Sequence, residues 1–261
     1  MPSSGTAQLT VTANQLITQA YKKIRVLPEG ATTANAGQLA DATERLNLLI
    51  ANLQSEGLPL WTYQLIPVPC TQDQSAYTIG PNGSDVETNR PLRVMEYGNF
   101  VRFYVGTQTF DTPLRLISRA EYLSFGNKTS TGIVNSIYYD GKIDDGGSGA
   151  TSPADGYGTL FVYVTPQDQT VQYTVYLNAQ RPLYIITDGA EEFDLPAEWF
   201  MYLMYALAAE MADDNEAPES RIKRLEDKAE SLKAKLLDWS VETASTSFAP
   251  DYATMPVGMS R

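Results

Sequence analysis

The chain contains no histidine and a single cysteine, Cys70. Without an imidazole there is no Cys/His or Ser/His dyad and none of the commonest zinc ligand, which removes most familiar hydrolase mechanisms. One thiol excludes an internal disulfide framework, and its ordinary role is that of a small buried or strand residue. Positive charge is scarce as well: 19 Lys and Arg stand against 31 Asp and Glu, a formal net charge of −12. That balance argues against a surface that tracks phosphates throughout, so any contact with nucleic acid must be local. No apolar run approaches the roughly 18–20 residues of a membrane span. The opening "MPSSGTAQLTVTANQ" has neither a basic region nor an apolar core, so synthesis in the cytoplasm and no membrane partner are expected.

What remains is a globular composition, 43% hydrophobic and 19% charged over 261 residues, enough for one large or two modest cores. Residues 12–27 place Leu16, Ile17, Ala20, Ile24 and Leu27 on one broad face, and Thr12 and Gln15 stand at capping-box spacing. This predicts a helix stopped by Pro28 and Gly30. A second helix over 34–56 carries Leu39, Ala42, Leu46, Leu49, Ile50 and Leu53 at steps of three and four and stops at Gly57. So short a connector folds the pair into an antiparallel hairpin.

From Trp61 the period changes to two. The segments "WTYQLIPVP", "SAYTIG", "LRVMEY", "FVRFYV", "TLFVYVTP" and "QYTVYLNAQ" predict a mostly antiparallel sheet or sandwich. Ser118 and Glu121 mark a short helix within it. The Gly- and Ser-rich stretch 144–158 reads as a flexible loop, and its Asp144, Asp145 and Asp155 lack the pattern of a calcium loop. No metal or cofactor is expected.

A third helix, 196–213, begins with Pro196 in its first turn, near Glu191, Glu192 and Asp194 at the positive end of the dipole. It is apolar on two sides: Phe200, Leu203, Leu207 and Met211 form one stripe, and Tyr202, Tyr205, Ala206 and Ala209 another. Apolarity on both sides implies burial on both, inside a bundle or between it and a neighbouring subunit, and the second stripe is the expected subunit interface. A fourth helix, 218–239, has the narrow seam Ile222, Leu225, Ala229, Leu232 and Leu236. It carries Arg221, Lys223, Arg224, Lys228, Lys233 and Lys235 interleaved with acids, read either as a solvated face or as a local surface facing DNA or a partner. Residues 240–261 lack periodicity but space Phe248, Tyr252, Met255 and Met259 as anchors, the mark of a segment that orders on a partner.

The expected architecture is therefore α+β: a four-helix bundle with an antiparallel β-domain inserted between its second and third helices, and an extended C-terminal tail. The boundaries are 1–58 and 191–239 for the bundle, 59–190 for the β-domain and 240–261 for the tail.

The stretches "LITQAYKKIRVLPEGATTANAGQLADATERLNLLIANLQSEGLPLW" and "QSAYTIGPNGSDVETNRPLRV", with "YYDGK" at 138–142, "TLFVYVTPQ" at 159–167 and "LPAEWFMYLMYALAAEMA", are similar to a known family. They resemble the head-to-tail adaptors of short-tailed bacteriophages, also called tail accessory factors or packaged-DNA stabilisation proteins, over most of residues 13–239. The resemblance implies a structural virion protein, not an enzyme: a homo-oligomeric ring, typically of twelve subunits, that docks under the portal protein after packaging and receives the tail nozzle below. It implies that the tail, with Trp239, Phe248, Tyr252, Met255 and Met259, reaches into the portal. The β-domain would face nozzle and fibre or spike proteins, and double-stranded DNA would pass without sequence-specific contacts. Two other functions compete. A peptidoglycan hydrolase would need two carboxyl groups roughly 5–9.5 Å apart, one with a raised pKa. A carbohydrate- or tail-fibre-binding module would use exposed strand tyrosines, which more often serve sheet packing.

Overall fold

The computed structural model describes residues 10–56, 62–81, 84–105, 107–144, 156–167 and 172–239, which form an α+β structure of five helices and several sheets. Helix α1 (Ala13–Ile24) opens on a reciprocal capping box, the Thr12 hydroxyl accepting from the Gln15 N–H (3.4 Å) and the Gln15 side chain from the Thr12 N–H (3.2 Å). It ends earlier than the expected Leu27. Arg25 takes a left-handed conformation (φ 65°) and donates to the Lys22 carbonyl, while the Val26 N–H donates to that of Tyr21. These two bonds close the helix before Pro28 is reached. Helix α2 (Ala36–Ser55) repeats the capping device with Asn35 and Gln38. The connector is tied down by Thr18, whose hydroxyl accepts from the Ala34 N–H and donates to the Asn14 carbonyl.

Twelve strands follow: β1 (Tyr63–Cys70), β2 (Ala76–Gly80), β3 (Val86–Glu87), β4 (Arg93–Val94), β5 (Phe100–Val105), β6 (Gln108–Pro113), β7 (Arg115–Leu116), β8 (Thr131–Gly132), β9 (Ser136–Asp144), β10 (Tyr157–Tyr163), β11 (Thr165–Pro166) and β12 (Tyr173–Gln180). The first sheet has the order β1-β12-β5-β6, with β4 also on β12, and is antiparallel throughout. The second has the order β3-β2-β10-β9-β7, in which the two short outer pairs are parallel. Strands β8 and β11 pair separately, also in parallel. Inward residues of both sheets, among them Ile66, Val68, Ile79, Val101, Ile137, Leu160, Val175 and Leu177, make one apolar cluster, the packing of a β-sandwich. Helix α3 (Arg119–Ser124) begins at Ser118, whose hydroxyl accepts from the Glu121 N–H.

The sheet differs from expectation in three places. Strand β6 pairs with β5 over all six of its residues although every one of its side chains is exposed, so it carries no apolar alternation to read. Strand β9 runs through "SIYYDGKID", whose Asp-Gly-Lys has the composition of a turn. Only Arg93 and Val94 of "LRVMEY" enter a ladder.

Strands β1 and β12 pair in one unbroken register from Tyr63↔Gln180 to Cys70↔Tyr173. The end of the sandwich nearest the strap therefore has Thr62 and Arg181 side by side. A turn of 3-10 helix (Ala197–Trp199) follows Pro196, so α4 (Phe200–Ala212) starts after the expected first turn, and α5 (Glu219–Trp239) completes the described chain. Helix α4 packs against α1, α2 and α5. Residues of these four helices, with Leu183 and Ile186, form a second apolar cluster separate from the sandwich core. No helix among the described residues is long and apolar enough to cross a membrane.

The central place of α4 accounts for its apolarity on two sides. Phe200, Leu203, Leu207 and Met211 are buried, and so are Tyr202 and Ala206 at 7% exposure each. The expectation that Tyr202 and Ala206 are left over for a neighbouring subunit is corrected here: the chain buries both itself. Tyr205 and Ala209 are half-buried against the same cluster, and the Lys23 ammonium lies 5.4 Å from the Tyr205 ring centre.

Candidate interaction surfaces

A strap, residues 181–195, joins the two cores. Arg181 leads it: its N–H donates to the Thr62 carbonyl (3.0 Å), and its guanidinium grips both carboxylate oxygens of Asp194, one at 2.7 Å. The Asn47 side chain acts as a surrogate strand, accepting from the Ile186 N–H (3.0 Å) and donating to the Ile186 carbonyl (2.9 Å). Gln54 accepts from the Leu183 N–H. Further along, the Asn14 N–H donates to the Gly189 carbonyl (2.9 Å), and a Cβ at Gly189 would come within 2.0 Å of the Asn14 side chain. A larger residue there would push aside the end of the Asn14 side chain. These bonds satisfy backbone groups that a loop between two cores would otherwise leave unpaired.

On α5 the structure separates residues that the linear order mixes. At 100° per residue, Arg221, Arg224, Lys228 and Lys235 fall within an arc of about 60° on one flank of the seam. Glu219, Glu226, Glu230 and Lys233 fall within a similar arc of about 60° on the other flank. Two of the cations have internal partners: Arg221 donates to the Ile24 carbonyl at the end of α1 (3.2 Å), and Lys233 pairs with Glu56 beyond α2. Lys223, Arg224, Lys228 and Lys235 are exposed and take no part in the ion pairs of the described residues.

A groove of about 480 Å³ runs between α2 and α4, lined by Asp41, Glu44, Arg45, Leu48, Leu49, Asn52 and Glu210. Arg45 is already committed, pairing with Asp214 and donating to the Glu210 carbonyl. Leu48 is 65% exposed in this groove. Of these residues sequence reading named only Leu49, as part of the apolar face of α2; the available signal for the groove was that Leu48 lies off the buried stripe Ala42, Leu46, Ile50 and Leu53.

Both sheets carry aromatic residues on their outer faces. On the second, Tyr122 and Phe125 of α3 and its end meet Tyr138, Phe161 and Tyr163, with Tyr122 to Phe161 at 5.2 Å and Phe125 to Tyr163 at 4.2 Å between ring centres. On the first, Phe100 and Tyr176 stack at 4.8 Å, and the Arg102 guanidinium lies 5.5 and 5.0 Å from the two ring centres. Asp111 holds that guanidinium through two hydrogen bonds of 2.7 Å.

Burial pushes the Cys70 thiol up to about 11, which keeps it protonated and unreactive near neutrality. Among the described residues the displaced carboxylates all move downward. Asp85 is held low by hydrogen bonds from Thr78, Asp111 by those from Arg102 and Glu191 by those from Thr187. A glycosidase general acid needs the opposite direction. Among the described residues no group of three or more His, Cys, Asp or Glu is arranged to hold a metal ion.

The expected portal-binding residues Phe248, Tyr252, Met255 and Met259, the side chain of Trp239, and loop residues 145–155 with Asp145 and Asp155 lie outside the described residues. The chain matches no protein-family model and no curated protein.

Proposed function

We propose that this chain is a structural adaptor of the head-to-tail junction of a short-tailed bacteriophage. In this reading α1, α2, α4 and α5 form a four-helix bundle that builds a homo-oligomeric ring below the portal. The inserted sandwich projects towards nozzle and fibre proteins, and residues 240–261 reach the portal. The observation that carries the reading is the shared apolar cluster of helices from both ends of the chain, with the β-domain leaving and returning through the paired β1 and β12. It supports the arrangement expected from periodicity, a helical part interrupted by a β-domain. Half-buried Tyr205 and Ala209 remain available at the flank of α4 for lateral contacts, whereas Tyr202 and Ala206 act from within. A net charge of −12 suits a conduit wall, because strong phosphate contacts would oppose passage of the duplex.

The test is an image of the purified chain, alone and with a portal protein of a short-tailed bacteriophage. The reading expects a closed ring that stacks on the portal, and a chain lacking 240–261 that keeps its helical spectrum but binds portal at least tenfold more weakly. A chain that remains monomeric and unbound in both samples overturns it.

A further inference from the structure

The charge segregation on α5 and the groove between α2 and α4 are complementary surfaces of one molecule. The groove presents Asp41, Glu44 and Glu210, all exposed and outside the ion pairs of the described residues, around the exposed Leu48. The α5 flank presents Arg224, Lys228 and Lys235, also exposed and outside those pairs. Residues 41 to 52 on α2 and 224 to 235 on α5 each span eleven steps, about 16.5 Å of helix. No residue of α5 lines the groove, so one chain cannot satisfy its own groove with its own flank in this fold. We infer that the α2/α4 groove takes the basic flank of α5 from a second copy of this chain, head to tail.

A contact between two different patches is heterologous, and repetition of it generates a ring where the rotation closes. The inference deepens the ring reading above and rests on it for closure. Its polar part supplies register and orientation, since apposing the wrong flank of α5 would set Glu219, Glu226 and Glu230 against Asp41, Glu44 and Glu210. Leu48 supplies apolar area at the centre of the contact, where a carboxylate rim excludes other apolar surfaces but admits one edged with cations. Duplex DNA is the competing occupant of the basic flank. The acidic groove on the same molecule favours a second copy, and three cations on a chain of net charge −12 favour a protein carboxylate over a phosphate backbone.

The experiment reverses each surface separately. One variant carries Arg224→Glu, Lys228→Glu and Lys235→Glu; the other carries Asp41→Lys, Glu44→Lys and Glu210→Lys. All six positions are exposed, so circular dichroism should show unchanged helix content. Native mass measurement, alone and with portal, should find the wild-type chain assembled, each variant at least about tenfold weaker in assembly, and an equimolar mixture restored, because each variant then offers the surface the other lacks. Assembly of the wild type should also weaken as salt rises. Variants that each assemble like wild type overturn the groove contact while leaving the ring reading intact. A wild-type chain that never assembles overturns both. Normal assembly with lost duplex binding in the first variant assigns the flank to DNA and likewise overturns the inference. Should either reversal fail to fold, the neutral pair Lys228→Gln and Lys235→Gln serves instead, with weakened assembly expected and unchanged assembly counting against the contact.

Discussion

The two outer faces of the sandwich are both aromatic, yet they are shielded from water by different means. The second sheet is roofed by a short helix: Tyr122, 8% exposed, sits among Tyr138, Phe161 and Phe125, and the Lys128 ammonium bonds to the last carbonyls of α3 while lying over the Tyr122 ring. The first sheet has a single side chain in the corresponding role. Arg102 lies across Phe100 and Tyr176, and Asp111 on the neighbouring strand fixes its plane. A helix roof removes apolar area from water and so contributes to stability; a guanidinium lid mainly orders a surface that stays wet. The second solution leaves a face that keeps its shape without being buried.

Three substitutions break or sharpen this contrast. The largest effect is expected from Tyr122→Ala, which removes the centre of the helix roof and should lower the unfolding free energy by about 3 kcal/mol in urea titration. A loss under about 1 kcal/mol would mean that α3 is not a roof at all. Tyr176→Ala removes one ring of a half-buried stack and should cost about 1 kcal/mol by the same titration. The smallest change in stability is expected for Arg102→Ala, whose effect should appear instead as stronger fluorescence of a dye that binds exposed apolar surface. Acid should close the gap between this variant and wild type. Because Arg102 holds the Asp111 carboxyl below its ordinary value of 3.8, the lid is complete above that pH and opens as pH falls through the lowered value. Dye binding followed from pH 6 downward should therefore rise in wild type and stay level in Arg102→Ala over that interval. A parallel rise in both would separate the lid from the Asp111 pair.

Raised acids give a signal at the other end of the scale. Burial raises Cys70 to about 11 and Tyr139 to about 12, so the folded state retains protons that the unfolded chain has lost. Stability conferred by the neutral forms is complete below the ordinary thiol value of 9.0 and declines as pH rises towards 11. Urea midpoints measured from pH 8 to 11 should fall, and less so in Cys70→Ala.

Helices were legible because their signals are local. Thr12 and Gln15 announce α1 within a span of four residues, and Asn35 and Gln38 carry the same message for α2, though a boundary placed at Ala34 passes over it. Arg25 was illegible for a physical reason: a left-handed arginine is unfavourable in isolation and persists because two carbonyls of the last turn accept its N–H and that of Val26. Strand β6 is defined by its partner β5 and not by its own pattern. The interaction surfaces were the least legible. The cations of α5 alternate with acids along the chain and separate only when wound at 100° per residue. The groove arises where Glu210 comes beside a face of α2 some 160 positions earlier. Likewise, the clamp of Arg181 on Asp194 has no counterpart in local periodicity, since both lie in a segment without regular structure.

The side-by-side ends of β1 and β12 have a mechanical meaning. Any tension applied to the sandwich is delivered to the helices through two adjacent strands, at Thr62 and Arg181, which are themselves bonded to each other. The pull has almost no lever arm between its two points of attachment, so it does not pry α2 from α4. A load on the sandwich would drag the helical body as a whole, with its interior left undisturbed.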